Sequence, residues 1–161
     1  MVIPAGAITL DRISPHHLRR VEHIEVHPSQ IPYSGTVQEA FEAEEPRVDF
    51  HCIQKMSQMV GFFKLDRDYY KVHRFATGLE LGVRGFMVDQ RVQGQGIGRA
   101  AIEALPAYVR RVYPGIIGLA LTVNQSNVSA YHCYLGGGFK DTGQIWPHGD
   151  AGPQNIMKMT F

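Results

Sequence analysis

A glycine-rich stretch in the middle of the chain has the composition of an anion-binding loop. A short apolar segment, residues 86–88, leads to Gln93-Gly-Gln-Gly-Ile-Gly98, and a helix-forming segment follows. Alternate glycines permit positive φ angles and a close approach to a ligand, so successive N–H groups can converge on phosphate oxygens. The positive end of the following helix and the guanidinium of Arg99 add to the attraction. The pattern predicts a site for a pyrophosphate-bearing cofactor.

Other interpretations of this loop differ in what must follow the last glycine. A phosphate-binding P-loop needs Lys-Ser or Lys-Thr there, and this chain has Arg-Ala instead. A dinucleotide fingerprint is met by Gly96, Gly98 and Ala101, but it also needs an acidic residue about 20 residues later. The next predicted strand ends at Asn124. Dinucleotide binding and a plain strand-to-helix turn both stay open on the loop alone.

A second block of residues carries a resemblance to a known family. Residues 127–139 fit the pattern N-x-x-A-x-x-x-Y-x-x-x-G-F, and the glycine loop fits Q/R-x-x-G-x-G/A. In this order, with a helix and a strand between them, the two blocks resemble the GNAT superfamily of acetyl-CoA-dependent N-acetyltransferases over residues 79–145. Parts of the N-terminal half are also similar to bacterial spermine/spermidine N-acetyltransferases.

The resemblance implies acetyl-CoA as co-substrate and a cofactor site spread over both blocks. Its expected residues are Phe86, Met87, Val88, Gln93, Gly94, Gln95, Gly96, Ile97, Gly98, Arg99, Asn127 and Tyr134. The backbone of residues 86–88 would pair with the pantetheine amides as an added strand does. Asn127 is expected to bind the pantetheine arm or to cap its helix, and Asn124 and Ser126 are equally good caps.

Direct acetyl transfer from a thioester to an amine needs a neutral nucleophile, oxyanion stabilisation and a proton for the departing thiolate. The family's tyrosine at the position of Tyr134 lies by the thioester sulfur, so Tyr134 is the expected general acid, with simple ring packing as its alternative. Glu80, early on the central strand, is the tentative base. The other candidate bases are Asp89, His51, His73 and His132. Cys133 has no base placed to activate it as a nucleophile.

Composition narrows the class of protein. With 161 residues and 44% hydrophobic content, the chain is expected to form a single domain over residues 1–161. A net charge of +1 argues against nucleic acid as a partner. No apolar run approaches the ~18 residues of a membrane span and no signal peptide is visible, so we expect no membrane and a cytoplasmic location. The 8 histidines lack metal-binding spacing, which predicts no metal.

Hydrophobic periodicity and turn residues predict the elements. Strands are expected at 7–13, 48–54, 58–65, 79–88, 116–123, 139–146 and 155–161; helices are expected after Ser14-Pro15 and at 36–45, 98–113 and 126–135. Residues 26–33 and 66–78 are predicted to be loops. This order predicts an α/β (α+β) fold, a mixed, mostly antiparallel central sheet of about seven strands with helices on both faces. The GNAT resemblance implies the same fold.

The leading function is therefore transfer of acetyl directly to a primary amine of a small molecule: a polyamine, an amino sugar or an amino acid. Transfer to a protein or peptide amine, a non-catalytic acyl-CoA-binding module and an NAD-linked enzyme are the alternatives. The acidic residues Glu39, Glu42, Glu44 and Glu45 would attract a polycation or would form the solvent face of their helix. A homodimer is expected on resemblance alone.

Overall fold

The computed structural model describes residues 7–161. The strands are β1 (Ile8–Ile13), β2 (Val48–Lys55), β3 (Gln58–Asp66), β4 (Glu80–Val88), β5 (Gly118–Asn124), β6 (Lys140–Trp146) and β7 (Gln154–Thr160). The α-helices are α1 (Ile31–Ser34), α2 (Val37–Glu42), α3 (Tyr69–Val72), α4 (Ile97–Val112) and α5 (Val128–Gly137). None of the helices in this part of the chain is long and apolar enough to cross a bilayer.

The strands form one sheet in the order β1-β2-β3-β4-β5-β7-β6. Every neighbouring pair is antiparallel except β4 and β5, which are parallel. This confirms the predicted mixed, mostly antiparallel sheet. The parallel pair is formed only where residues 80–82 face residues 118–120. Beyond these residues β4 and β5 separate, and the sheet opens at its centre.

A β-bulge accompanies this separation. Phe62 pairs with Met87 and Lys64 pairs with Arg84, so β4 carries one residue more than β3 between these two pairs. Gly85 lies inside the bulge with a φ of 58°, in the left-handed region that favours glycine. Bulges bend the strand that holds the extra residue. The bend leaves the second half of β4 beside the opening in the sheet.

Helix α4 covers one face of the sheet. Its buried residues follow helical spacing and pack on the β3, β4 and β5 side chains in the larger core; they are Ile97, Ala101, Ile102, Leu105, Tyr108 and Val109. The other face is covered by α2 and the segment before it, where Val21, Ile24 and Val37 pack on Phe50 and Phe62. The opening in the sheet therefore lies between two packed layers.

Three local predictions are wrong. The helix expected after Ser14-Pro15 is a turn followed by a short 3-10 helix, Leu18–Arg20. No side chain of residues 14–20 is buried, so an α-helix there would have no apolar face to pack on the sheet. The loop expected over residues 26–33 contains helical turns, Pro28–Gln30 and α1. The loop expected over residues 66–78 contains α3.

His51 belongs to a buried polar network between β2 and α4. It is 0% exposed, its Nδ1 lies 2.6 Å from the Tyr108 hydroxyl and its Nε2 lies 2.9 Å from the Tyr113 hydroxyl. Tyr113 donates to Asp49 at 2.7 Å, so it accepts from His51 Nε2–H, and Nδ1 accepts from Tyr108. Burial lowers the pKa of His51 to about 3. The ring is thus neutral and satisfied on both nitrogens.

This network predicts an acid-sensitive stability. Because the pKa of His51 is lower in the folded chain than in the unfolded one, the unfolded chain binds more protons between about pH 6.5 and 3. The stabilisation is complete above pH 6.5 and is lost as pH falls, by up to about 1.4 kcal/mol per pH unit. Urea unfolding at several pH values should show this slope. His51→Gln should reduce the number of protons taken up on unfolding in this pH range by about one. An identical slope in both proteins would contradict the assignment.

Candidate active site

Two cavities meet at the opening between β4 and β5. The first, about 420 Å³, is lined by the end of β4, the glycine loop and α5. The second, about 340 Å³, lies between β4 and β5 on the other side of α5's first turns. Residues that line both cavities are Tyr33, Ser34, Phe86, Asn127, Ala130 and Cys133. A ligand in the first cavity can therefore extend a group toward the second.

The glycine loop forms one wall of the first cavity. Gly94 and Gly96 have φ angles of 81° and 80°, and Gly96 is the N-cap of the 16-residue helix α4. Backbone N–H groups at such a loop and helix start attract phosphate oxygens. Arg99 lies in the first turn of α4, is largely exposed and pairs with Glu103 at 2.8 Å. The local backbone thus has the geometry that the anion-binding loop requires.

Gly98 keeps the floor of the first cavity open. A Cβ atom on Gly98 would lie 3.1 Å from Cys133 Sγ and 3.6 Å from a Val88 methyl. Farther along the same helix pair, a Cβ atom on Gly137 would overlap Ile102, so α4 and α5 pack closely there. The two helices are also close at Gly98, where the missing side chain leaves the space beside the end of β4 to the cavity.

Most of the predicted cofactor residues line the first cavity. They are Phe86, Met87, Val88, Gln93, Gly94, Gly96, Ile97, Gly98, Arg99 and Asn127. Gln95 does not, since its carboxamide oxygen accepts from Lys55 Nζ at 3.2 Å. Gln93 donates to the Val88 carbonyl at 2.8 Å and to Gln30 at 3.0 Å. Its side chain ties the loop to β4 and to the segment before α1.

Asn127 is the N-cap of α5. Its Oδ1 accepts from the backbone N–H of Ala130 at 3.4 Å, which settles which of the three candidate residues caps the helix. The residue also lines both cavities. Because the cap uses only the oxygen, the Nδ2 group remains a donor. Capping and ligand contact are therefore compatible at this residue.

Tyr134 lines the second cavity rather than the first. Its ring packs edge-on against Phe86 and Phe139, with centroid distances of 6.0 and 5.7 Å. Burial raises the pKa of the phenol well above its usual value, so the hydroxyl keeps its proton at neutral pH. Within residues 7–161, no group hydrogen-bonds this hydroxyl. Tyr134 can therefore pack its ring in the core and still donate its hydroxyl proton to a ligand.

Glu80 is not placed to act as a base. One oxygen accepts from the Thr77 backbone N–H at 2.8 Å and the other pairs with Lys158 at 2.9 Å. The side chain is 7% exposed and lines neither cavity. Glu80 lies at the closed end of the β4–β5 pair, opposite Gly118, so it stabilises that end of the sheet instead. This position contradicts the prediction that Glu80 is the base.

The other candidate bases lie in different places. His51 is in the buried network under α4, and Asp89 caps the turn after β4 and pairs with Arg91 at 2.6 Å. His132 lines the first cavity. His73 lines the second cavity, its ring stacked on Tyr69 at 3.8 Å, and burial lowers its pKa below the usual value. Of these candidates, His73 is the one that lines the second cavity together with Tyr134.

Three polar residues of the second cavity were missed by sequence reasoning: Lys64, Arg84 and Asn124. Asn124 is 5% exposed, and its Oδ1 has no hydrogen-bond partner within residues 7–161. It is the last residue of β5, whose apolar run predicted only burial. Lys64 and Arg84 are polar residues in strands where polar and apolar residues alternate. Ordinary solvent-facing residues show the same pattern, so it does not reveal a cavity. No group of three or more metal-ligating side chains occurs among the described residues.

Cys133 lines both cavities, so its chemistry needs a test. Burial raises the pKa of its thiol to about 11, which leaves it protonated and a poor nucleophile at neutral pH. We therefore expect kcat of Cys133→Ala for any transfer reaction to lie within about threefold of wild type, because the thiol forms no covalent intermediate. Steady-state kinetics measures this. A loss of more than about 100-fold, with thermal stability retained, would assign the thiol a covalent role.

Comparison with known protein families matches residues 7–139 to one family, described as Acetyltransferase (GNAT) family. The match spans most of the chain and includes the glycine loop, the opening in the sheet and α5. The chain belongs to the GNAT acetyltransferase family. The predicted family, the predicted fold class and the predicted enzyme class are confirmed.

Solved structures of GNAT enzymes share the fold. One is AAC(6')-Ib in complex with paromomycin and acetyl-CoA, at 17% identity and a TM-score of 0.77, covering 96% of this chain and 93% of that one. Another is spermidine N-acetyltransferase from Vibrio cholerae in complex with CoA and spermine, at 17% identity and a TM-score of 0.69, covering 96% of each chain. No curated protein sequence matches this GNAT chain significantly.

Proposed function

We propose that this chain transfers acetyl from acetyl-CoA directly to a primary amine of a small molecule. The observation that carries the proposal is the junction of the two cavities. The glycine loop lines one cavity, the protonated phenol of Tyr134 lines the other, and Phe86 and Cys133 line both. The solved structures named above hold acetyl-CoA or CoA together with an amine compound, which supports binding of both kinds of compound by this chain.

The first cavity fits a CoA thioester. Gly94 and Gly96 present backbone N–H groups suited to a pyrophosphate, and Gly98 leaves room for a narrow chain between β4 and α5. The backbone of residues 86–88 would pair with the pantetheine amides. Arg99 and the Nδ2 group of Asn127 would add donors. When bound, acetyl-CoA supplies the activated acetyl group.

Three side chains of the second cavity would handle protons and the amine. Tyr134 holds the proton that a departing thiolate needs. The Asn124 carboxamide oxygen, buried without a partner among residues 7–161, accepts an N–H of the amine and orients it. His73 is neutral at pH 7 because burial lowers its pKa, so it can take a proton from the ammonium form. His73 replaces Glu80 in this role.

A base with a lowered pKa predicts a specific pH profile. Because His73 must be neutral to accept a proton, kcat/KM should stay high down to about pH 6.5 and fall only below it. His73→Gln should lower kcat/KM by about tenfold at pH 7, since water entering the cavity can still take the proton, and should remove the acidic limb. An unchanged limb in the variant would assign that titration to another group.

Thermal unfolding with acetyl-CoA, CoA, NAD and ATP added separately tests the proposal first. A ligand that binds only the native state raises its stability by RT ln(1 + [L]/Kd). We expect a rise with acetyl-CoA and CoA only, followed by thiol release when amines are added. A rise with NAD instead, or no rise with either CoA compound, would contradict acetyl transfer.

A further inference from the structure

We infer that the acceptor amine also carries a carboxylate, which Arg84 and Lys64 bind in the second cavity. The inference rests on the proposed acetylation of a small amine and narrows it to amino-acid-like acceptors. It excludes the polycations that the GNAT neighbours bind. The argument depends on which charges line the cavity, how they are already paired and which donors are left.

The charged side chains that line the second cavity all belong to basic residues. Lys64 on β3 and Arg84 on β4 are direct partners in the sheet register, and both line the cavity with His73. No Asp or Glu is among the described lining residues. Like charges directly opposite each other in a sheet are destabilising. Two cations held at this place therefore need a compensating interaction.

Two acidic residues that do not line the cavity provide that compensation. Glu45 pairs with Lys64 at 3.2 Å and with Arg84 at 2.8 Å, and Asp66 pairs with Arg84 at 3.2 Å. Both acids contact the same nitrogen of Arg84, Nη1. They fix the two cations in position and leave the cavity side of the pair to a ligand.

The remaining donors match a carboxylate. Within residues 7–161, no group accepts from Nε or Nη2 of Arg84, and Lys64 Nζ donates only to Glu45. The Nε–Nη2 edge of a guanidinium binds a carboxylate through two parallel hydrogen bonds. Burial first and then the charge of Arg84 lower the pKa of Lys64, although Glu45 lies beside it.

A polycation would meet the opposite environment. Its additional ammonium groups would approach Lys64 and Arg84 with no unpaired carboxylate on the described walls to receive them. Glu45 is the member of the acidic run that reaches this region, and it is already paired with both cations. Charge complementarity therefore favours an amine with an anionic group over a polyamine or an amino sugar.

Matched amines test the inference. Thiol release from acetyl-CoA is measured with two matched pairs, L-phenylalanine against phenethylamine and L-lysine against cadaverine. Spermidine is measured as a polyamine without a carboxylate. We expect kcat/KM to be at least about tenfold higher for the carboxylate member of each pair, the effect of one charge-assisted bidentate contact. Arg84→Gln and, separately, Lys64→Met should lower that ratio. Arg47→Gln is the matched control, because Arg47 also pairs with a carboxylate, Asp68 at 2.8 Å, but lines neither cavity.

The outcomes separate this inference from the proposed reaction. Equal or faster turnover of phenethylamine, cadaverine or spermidine overturns the carboxylate site and leaves acetyl transfer standing. If no amine is turned over, thermal unfolding of the CoA-loaded protein with N-acetyl-L-phenylalanine or N-acetylphenethylamine decides. If only N-acetyl-L-phenylalanine stabilises the protein, and this stabilisation is lost in Lys64→Met, the carboxylate site is supported although the proposed reaction fails. Equal stabilisation, or none, overturns the site.

Discussion

Replacing Tyr134 with phenylalanine is expected to lower kcat for acetyl transfer by about 10²–10⁴-fold, the range that general acid–base catalysis contributes. The hydroxyl is the only part of the side chain removed, and the ring contacts with Phe86 and Phe139 remain. The elevated pKa of the phenol means that wild type carries the proton across the whole neutral range. Steady-state kinetics with acetyl-CoA and a turned-over amine measures the loss.

Tyr131→Phe provides the control for that experiment. Tyr131 lies on the same helix, its hydroxyl donates to Asp141 at 2.8 Å, and it lines neither cavity. It should keep wild-type kcat, and both variants should bind acetyl-CoA with a Kd within about threefold of wild type, since neither removes a phosphate or pantetheine contact. Equal kcat for Tyr134→Phe and wild type would leave the residue a purely structural role.

The first cavity was predictable because its determinants are local in sequence. The glycine loop and the start of α4 lie within residues 93–99, and positive φ angles at Gly94 and Gly96 follow from the residue type. The N-cap of α5 was also limited to three neighbouring residues by local signals. Such features need no knowledge of which strands pair, so motif and spacing were sufficient.

The second cavity depends on contacts that sequence spacing does not reveal. Lys64 and Arg84 become neighbours through the antiparallel register of β3 and β4, which the bulge at Gly85 shifts by one residue. Glu80 was misassigned for a related reason. Its position on β4 was predicted correctly, but β4 pairs with β5 at that end and separates at the other. Lys158, from the C-terminal strand β7, then neutralises it.

Short helices show the same limit at a smaller scale. Ser14 does accept from the His16 backbone N–H at 3.2 Å, as a capping residue would, but the turn does not continue as an α-helix. Helices of one or two turns are marginal without packing on a regular face. The buried residues that follow, Val21 and Ile24, pack on β2 and β3 instead and determine the path of the chain.

Replacing Gly98 with valine is expected to raise the Kd for acetyl-CoA by about 100-fold, or about 2.8 kcal/mol at ~1.4 kcal/mol per tenfold. The new Cβ would lie 3.1 Å from Cys133 Sγ and 3.8 Å from a ring carbon of Phe86. The branched methyls must then occupy the space between β4 and α5 that the proposed pantetheine arm needs. Because Gly98 is only half-buried and faces the cavity, the added volume should cost more in binding than in folding.

Gly78→Val separates this blockage from the general effect of losing a glycine. Gly78 lies in the loop before β4, lines neither cavity, and a Cβ there would make an ordinary contact of 3.6 Å with Tyr70. Calorimetric titration should give wild-type acetyl-CoA affinity for Gly78→Val and weak or no binding for Gly98→Val, with both proteins folded by circular dichroism. Unchanged affinity in Gly98→Val would mean that the pantetheine arm does not pass between Val88 and Cys133. The cofactor would then have to reach the second cavity by another route, because the close contact of Gly137 with Ile102 closes the space between α4 and α5 farther along.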